Sequence, residues 1–146
     1  MNRHKTLKFA VVALTVLALV VMSVALAVAA PLQLGVAINP TGRVDNPTGV
    51  VTLTGTVTCD VPVSVSLFGQ LTQPVGRKTL LQGSFFTSVN CTGGTTPWSA
   101  TVSAFNGRFG GGPAQAFVSA SGCSLYPYFD CKLVQTSATV KLRGGK

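Results

Sequence analysis

From residue 32 onward the chain alternates apolar and polar positions with a period of two, the signature of half-buried strands. In Val51-Thr-Leu-Thr-Gly-Thr-Val-Thr-Cys59, Val51, Leu53, Val57 and Cys59 share one face. Thr52, Thr54, Thr56 and Thr58 share the other, which predicts an antiparallel strand with a threonine face toward water. Six further inner rows follow the same rule. They are Leu32/Leu34/Val36/Ile38, Val61/Val63/Val65/Leu67, Phe85/Thr87/Val89/Cys91, Trp98/Ala100/Val102/Ala104, Ala114/Ala116/Val118/Ala120 and Val134/Ala138/Val140/Leu142. Turn signals are read at Asn39–Gly42, Asn46–Gly49, Gly69–Gly76, Gly93-Gly94, Gly107 and Gly110–Pro113. No helical stripe of normal length follows residue 30. About seven or eight short strands at regular spacing predict an all-β, immunoglobulin-like antiparallel β-sandwich. No linker splits off a second domain, so residues 30–146 are expected to form one unit.

Residues 1–29 follow a different pattern. A basic stretch with Arg3, Lys5 and Lys8 precedes an apolar run from Phe9 to Ala30 that ends in small residues. This is the layout of a secretory signal peptide, and Ala27-Val28-Ala29 places the expected cut after Ala29. The alternative is an uncleaved signal/transmembrane helix, since the run has about the 20 residues a span needs. Both readings put the domain outside the cytoplasm, secreted or on the outer face of the cell envelope. A membrane partner is expected only if the helix stays uncleaved.

Four cysteines remain: Cys59, Cys91, Cys123 and Cys131. An even count in an exported chain predicts two disulfides, with three pairings open. Cys59–Cys91 with Cys123–Cys131 is preferred, because Cys91 faces inward like Cys59 and Ser124–Asp130 reads as a hairpin tip. A disulfide between sheets, with Trp98 nearby, would suit an immunoglobulin-like core. Zinc is disfavoured by the wide spacings and by the loss of His4, the one histidine, with the leader. No metal or other cofactor is expected.

The exported part keeps eight Lys and Arg against Asp45, Asp60 and Asp130, a net charge of +5 with no Glu. The basic residues are scattered and only Arg77-Lys78 are adjacent, so the balance is read as favouring solubility rather than an anionic partner, and no nucleic acid is expected. General acid–base chemistry draws mostly on His, Glu and Asp, and the three Asp stand beside turns where capping is their ordinary role. No catalytic residue is assigned, and the chain is expected not to be an enzyme. Gly107-Arg-Phe-Gly-Gly-Gly-Pro113 lacks the following helix that a phosphate-cradling loop needs.

The candidate binding residues are aromatic. Tyr126, Tyr128 and Phe129 sit in the loop that Cys123–Cys131 would rigidify, and rigid aromatics lose little entropy on binding. Folding back to cap one end of the sandwich is the alternative role for that loop. Phe68, Phe86, Phe105 and Phe117 fall opposite the inner rows and would form an apolar patch if one sheet surface carries them all.

The stretch Val36-Ala-Ile-Asn-Pro-Thr-Gly-Arg43, followed by Val51–Cys59, resembles a family of small secreted actinobacterial proteins of unknown function (DUF6299-like). That pattern has a P-T-G opening, a V-T-L-S-G-T-x-x-C strand, a Gln-containing strand, a second Cys and then a Trp. Gln70 or Gln73, Cys91 and Trp98 stand in that order, and the resemblance covers roughly residues 36 to 120. It implies pairing of Cys59 with Cys91 and an immunoglobulin-like sandwich, and it brings no catalytic residue and no ligand. The Cys123–Cys131 loop departs from the pattern.

The functional expectation is a non-catalytic binding or envelope domain whose partner is an unknown protein or an envelope polymer. A structural subunit assembling through sheet edges, with Leu32–Ile38 added to a neighbour, is the alternative. A small-molecule carrier of neocarzinostatin-like architecture is a further one.

Overall fold

The computed structural model describes residues 30–125 and 129–144. The expected signal helix lies outside the described residues, as do Tyr126, Tyr128 and Lys146. The described residues are all-β, without helix. The strands are β1 (Leu34–Ile38), β2 (Thr41–Val44), β3 (Val51–Val75), β4 (Thr79–Val102), β5 (Gly112–Ser124) and β6 (Asp130–Gly144).

Two strands are far longer than any single run read from the pattern. β3 joins the Val51–Cys59 and Val61–Leu67 runs, and β4 joins the Phe85–Cys91 run to the Trp98–Val102 part of the next. They pair antiparallel along their whole length, with one register shift between Cys59 and Pro62. Gly93-Gly94, read as a turn, lies opposite that shift inside β4, and the inward positions of β4 pass there from odd to even numbers. Gly69–Val75, also read as turn, is strand, and the reversal comes after Val75.

The other pairings close on themselves. One edge of β3 carries β1 and β2 along its first half and β5 along its second. β5 pairs antiparallel with β6, and β6 pairs parallel with β2, which returns to β3. Of Asn39–Gly42, read as a turn, only Asn39 and Pro40 separate β1 from β2. Gly42 is buried in strand because Leu142 and Leu53 occupy the space a side chain would need.

The inner rows are the core. Val51, Leu53, Val57, Val65, Leu67, Leu71, Val102, Val118 and Val140 are fully buried in one cluster that also takes Trp98 and Phe85. Phe85 and Trp98 are thirteen residues apart on β4, about 40 Å along an extended strand. Their rings stack with centroids 5.9 Å apart. The β3–β4 hairpin is therefore folded back on itself, and the fold falls at the register shift.

Two glycines make room for this stack. Gly55 is the cross-strand partner of Trp98, and Gly69 that of Phe85. A Cβ on Gly55 would stand 2.6 Å from the Trp98 ring and 2.0 Å from the Ala37 carbonyl oxygen. One on Gly69 would stand 2.1 Å from Phe85. Across Gly55 the Trp98 indole N–H donates to the Ala37 carbonyl at 3.2 Å, which ties β4 to β1 over the intervening strand. Glycine normally weakens a strand, but here it admits an aromatic ring close to the backbone.

Both preferred disulfides form. Cys59–Cys91 clamps the fold of the hairpin, and Cys123–Cys131 joins directly opposed residues at the β5–β6 tip. Cys59 stands before the register shift and Cys91 after it, so the bridge links the two arms of the folded hairpin.

Gly69→Ala is expected to lower the unfolding free energy by about 1–3 kcal/mol or more through overpacking. Gly110→Ala, where a Cβ meets open space, is expected to stay within about 0.5 kcal/mol. Urea denaturation followed by circular dichroism checks both. Replacing Cys59 and Cys91 together by Ala is expected to cost about 3–4 kcal/mol by loop-closure entropy for a span of 32 residues.

Candidate binding face

The even positions of β3 and of β4 as far as Asn90, and the odd positions of β5 and β6, point away from the core, and register aligns them into rows. Phe86, Phe68, Ser119 and Gln135 form one row, and Ser84, Gln70, Phe117 and Ser137 the next. Gln82, Thr72, Gln115 and Thr139 form a third. The third row is linked by a hydrogen bond, Gln115 Nε2 donating to Thr139 Oγ1 at 2.8 Å.

This places Phe68 and Phe86 directly opposite each other, with Phe117 diagonal to Phe68. Phe105 joins them from the segment after β4. Its N–H donates to the Gln82 carbonyl at 2.8 Å. Asn106 holds the same segment down, its Nδ2 donating to the Leu80 carbonyl and its Oδ1 accepting from the Gln82 N–H. Phe68 and Phe105 flank a notch of about 170 Å³ whose other walls are Gln70, Thr72, Gln82, Gly83 and Ser84. Phe68, Phe86 and Phe105 are 44%, 72% and 74% exposed, and Phe117 is half-buried. No charged side chain lines the notch.

The disulfide-stapled loop adds a second apolar surface. Phe129 is exposed on it, with Leu125 and Leu133 exposed nearby in sequence. Phe129 is thus turned to solvent rather than folded back over the core. The two tyrosines of that loop fall outside the described residues.

Each of the three aspartates has structural work. Asp45 caps a turn, accepting from the Thr48 hydroxyl. Asp60 and Asp130 instead hold the start of the domain, accepting from the Gln33 N–H at 3.0 Å and the Leu32 N–H at 2.8 Å. Their neighbours in sequence suggested turns, but their partners come from 27 and 98 residues away. The buried Gln73 plays a similar part, pairing with the N–H and C=O of Gly110 at 3.0 and 2.9 Å. It holds the glycine loop that precedes β5, and no helix follows that loop. All four cysteines are in disulfides, and the described residues contain no cluster of three or more His, Cys, Asp or Glu side chains placed to hold a metal.

No family model and no curated protein matches the chain.

Phe86→Ser and Phe105→Ser are each expected to leave stability within about 0.5 kcal/mol. Phe85→Ala, one residue from the first, is expected to cost about 3–5 kcal/mol. Paired urea titrations measure the contrast, and equal losses at positions 85 and 86 would contradict the assignment of faces.

Proposed function

We propose that this chain is an exported, non-catalytic binding domain of the cell surface, and that it contacts its partner through the outer face bearing Phe68, Phe86, Phe105 and Phe117. The observation that carries this reading is the exposure of three of those rings, two of which flank an uncharged, amide- and hydroxyl-walled notch. Solvent-facing aromatics gathered on one sheet surface mark an interaction site. Rings beside Gln, Ser and Thr suit a ligand with apolar faces and many hydroxyls, such as an envelope polymer. The stapled loop with Tyr126, Tyr128 and Phe129 is the second contact surface. Export is supported by the leader-like pattern of residues 1–29 and by two disulfides, which fit an oxidising compartment.

For the architecture, the reading is an immunoglobulin-like sandwich of the DUF6299-like kind. It is supported by the folded-back hairpin, by the closed circuit of pairings, and by the packing of β1 against β5 and β6 without pairing to them. An assembling subunit is the second reading, and β4 favours it. Among the described residues β4 forms strand pairs only with β3, the Phe105-Asn106 segment bonds to it at Leu80 and Gln82, and its 24 residues include no Lys, Arg, Asp or Glu. Proteins usually guard free edges with such charges. Of Leu32–Ile38, the segment expected to be donated, Leu34–Ile38 is paired with β3 of the same chain.

Cosedimentation of the exported, oxidised protein with envelope preparations tests the binding reading. The wild type is expected to pellet with the wall or membrane fraction, and Phe86→Ser/Phe105→Ser to lose binding at least tenfold, while a Tyr126/Tyr128/Phe129 triple alanine variant reports on the loop. Wild-type protein left in the supernatant would overturn the reading. A monomer in sedimentation equilibrium at high concentration would remove the assembly alternative.

A further inference from the structure

We infer that the seam between β2 and β6 is a binding site for a phosphate group carried on a phosphodiester polymer. The parallel register sets Arg43 against Arg143 and Thr41 against Lys141. Residues 41, 43, 141 and 143 lie on the outer side, because Gly42, Val44 and Leu142 between them are buried. Three cations separated by about 100 residues of chain thus share one small surface. The sequence pattern, in which they look scattered, conceals this.

Like charges placed directly opposite each other destabilise a sheet. None of the three side chains has a hydrogen bond or ion pair with another described residue. The nearest acid in sequence, Asp45, turns its carboxylate to the Thr48 hydroxyl. A ligand anion would supply the missing countercharge. The residues also shape a place for it, a groove of about 500 Å³ lined by Thr41, Arg43, Thr52, Thr54 and Arg143, with Gly42 and Gly144 between them. Two guanidinium forks and hydroxyl donors match the several oxygens of a phosphate, which arginine binds in bidentate fashion.

A polymer fits better than an isolated ion. Lys141 stands about 7 Å along the strand from Arg143, so the cationic strip spans more than one phosphate oxygen cluster. The outer face continues from Lys141 into the neutral row of Thr139 and Gln115, suited to the sugar or polyol between phosphates. The site is separate from the phenylalanine notch, and its existence does not depend on what the notch binds.

The test is titration of the oxidised protein with inorganic phosphate and with a poly(glycerol phosphate) chain, followed by 15N–1H NMR and thermal unfolding at constant ionic strength. Both probes are expected to shift the amides of residues 41–44 and 141–144 and to raise Tm above that in chloride, with the polymer at least tenfold tighter. Arg43→Gln and Arg143→Gln are expected to lose both effects while unfolding in chloride at or above the wild-type temperature, since each removes a repulsion. Phosphate shifts that persist in both variants would overturn the site. Equal affinity for the ion and the polymer would overturn the polymer. Vesicles containing phosphatidylglycerol that bind through these arginines where the polymer does not would assign the phosphate to a lipid and overturn it also. Phe86→Ser/Phe105→Ser is expected to leave all of these shifts unchanged.

Discussion

The stack of Phe85 on Trp98 is the contact on which the rest of this structure depends. Both rings belong to one strand, and they meet only because the β3–β4 hairpin doubles back. Each ring lies over a glycine on the paired strand, so each half of the hairpin presents an aromatic surface to the other without backbone obstruction. Burial of two large rings is among the larger single contributions a small core can draw on. The Cys59–Cys91 bridge stands at the fold itself and holds the two arms near each other in the unfolded ensemble as well.

The outward features follow from that folding. Because every second residue of β3 and β4 is committed to the core, the alternate residues are committed to solvent. Phe68 and Phe86 are exposed for the same reason that Leu67 and Phe85 are buried. The hairpin leaves one edge of β3 to be shared by β1, β2 and β5, and this sharing brings β6 round to β2. Arg43 and Arg143 become neighbours only through that closure. The phenylalanine face and the cationic seam are thus two products of one arrangement.

Much of this was legible in the chain. Alternation placed Val51, Leu53, Val57, Trp98, Val118 and Val140 inside, and the inward placement of Cys91 matched it to Cys59. What stayed hidden depended on distant partners. Gly69 and Gly93 read as turns because a glycine in a strand looks like a turn until the ring that needs its space is known. β2 was missed because its alternation runs over only four residues and passes through Gly42, which reads as a turn. Asp60 and Asp130 looked like local caps, yet their partners are Gln33 and Leu32. The candidate site divided along the same line. Its phenylalanines could be named from strand parity, whereas Gln70, Thr72, Gln82 and Ser84 gained meaning only once Phe105 was folded beside them.

The single tryptophan makes the central contact directly observable. The measurement is NMR of the aromatic protons in the oxidised protein, with hydrogen exchange at the indole. The account predicts nuclear Overhauser effects between the Phe85 and Trp98 rings and an indole N–H protected by its bond to Ala37. A rapidly exchanging indole with no effect to Phe85 would contradict it, because the hairpin would then not be folded on that stack.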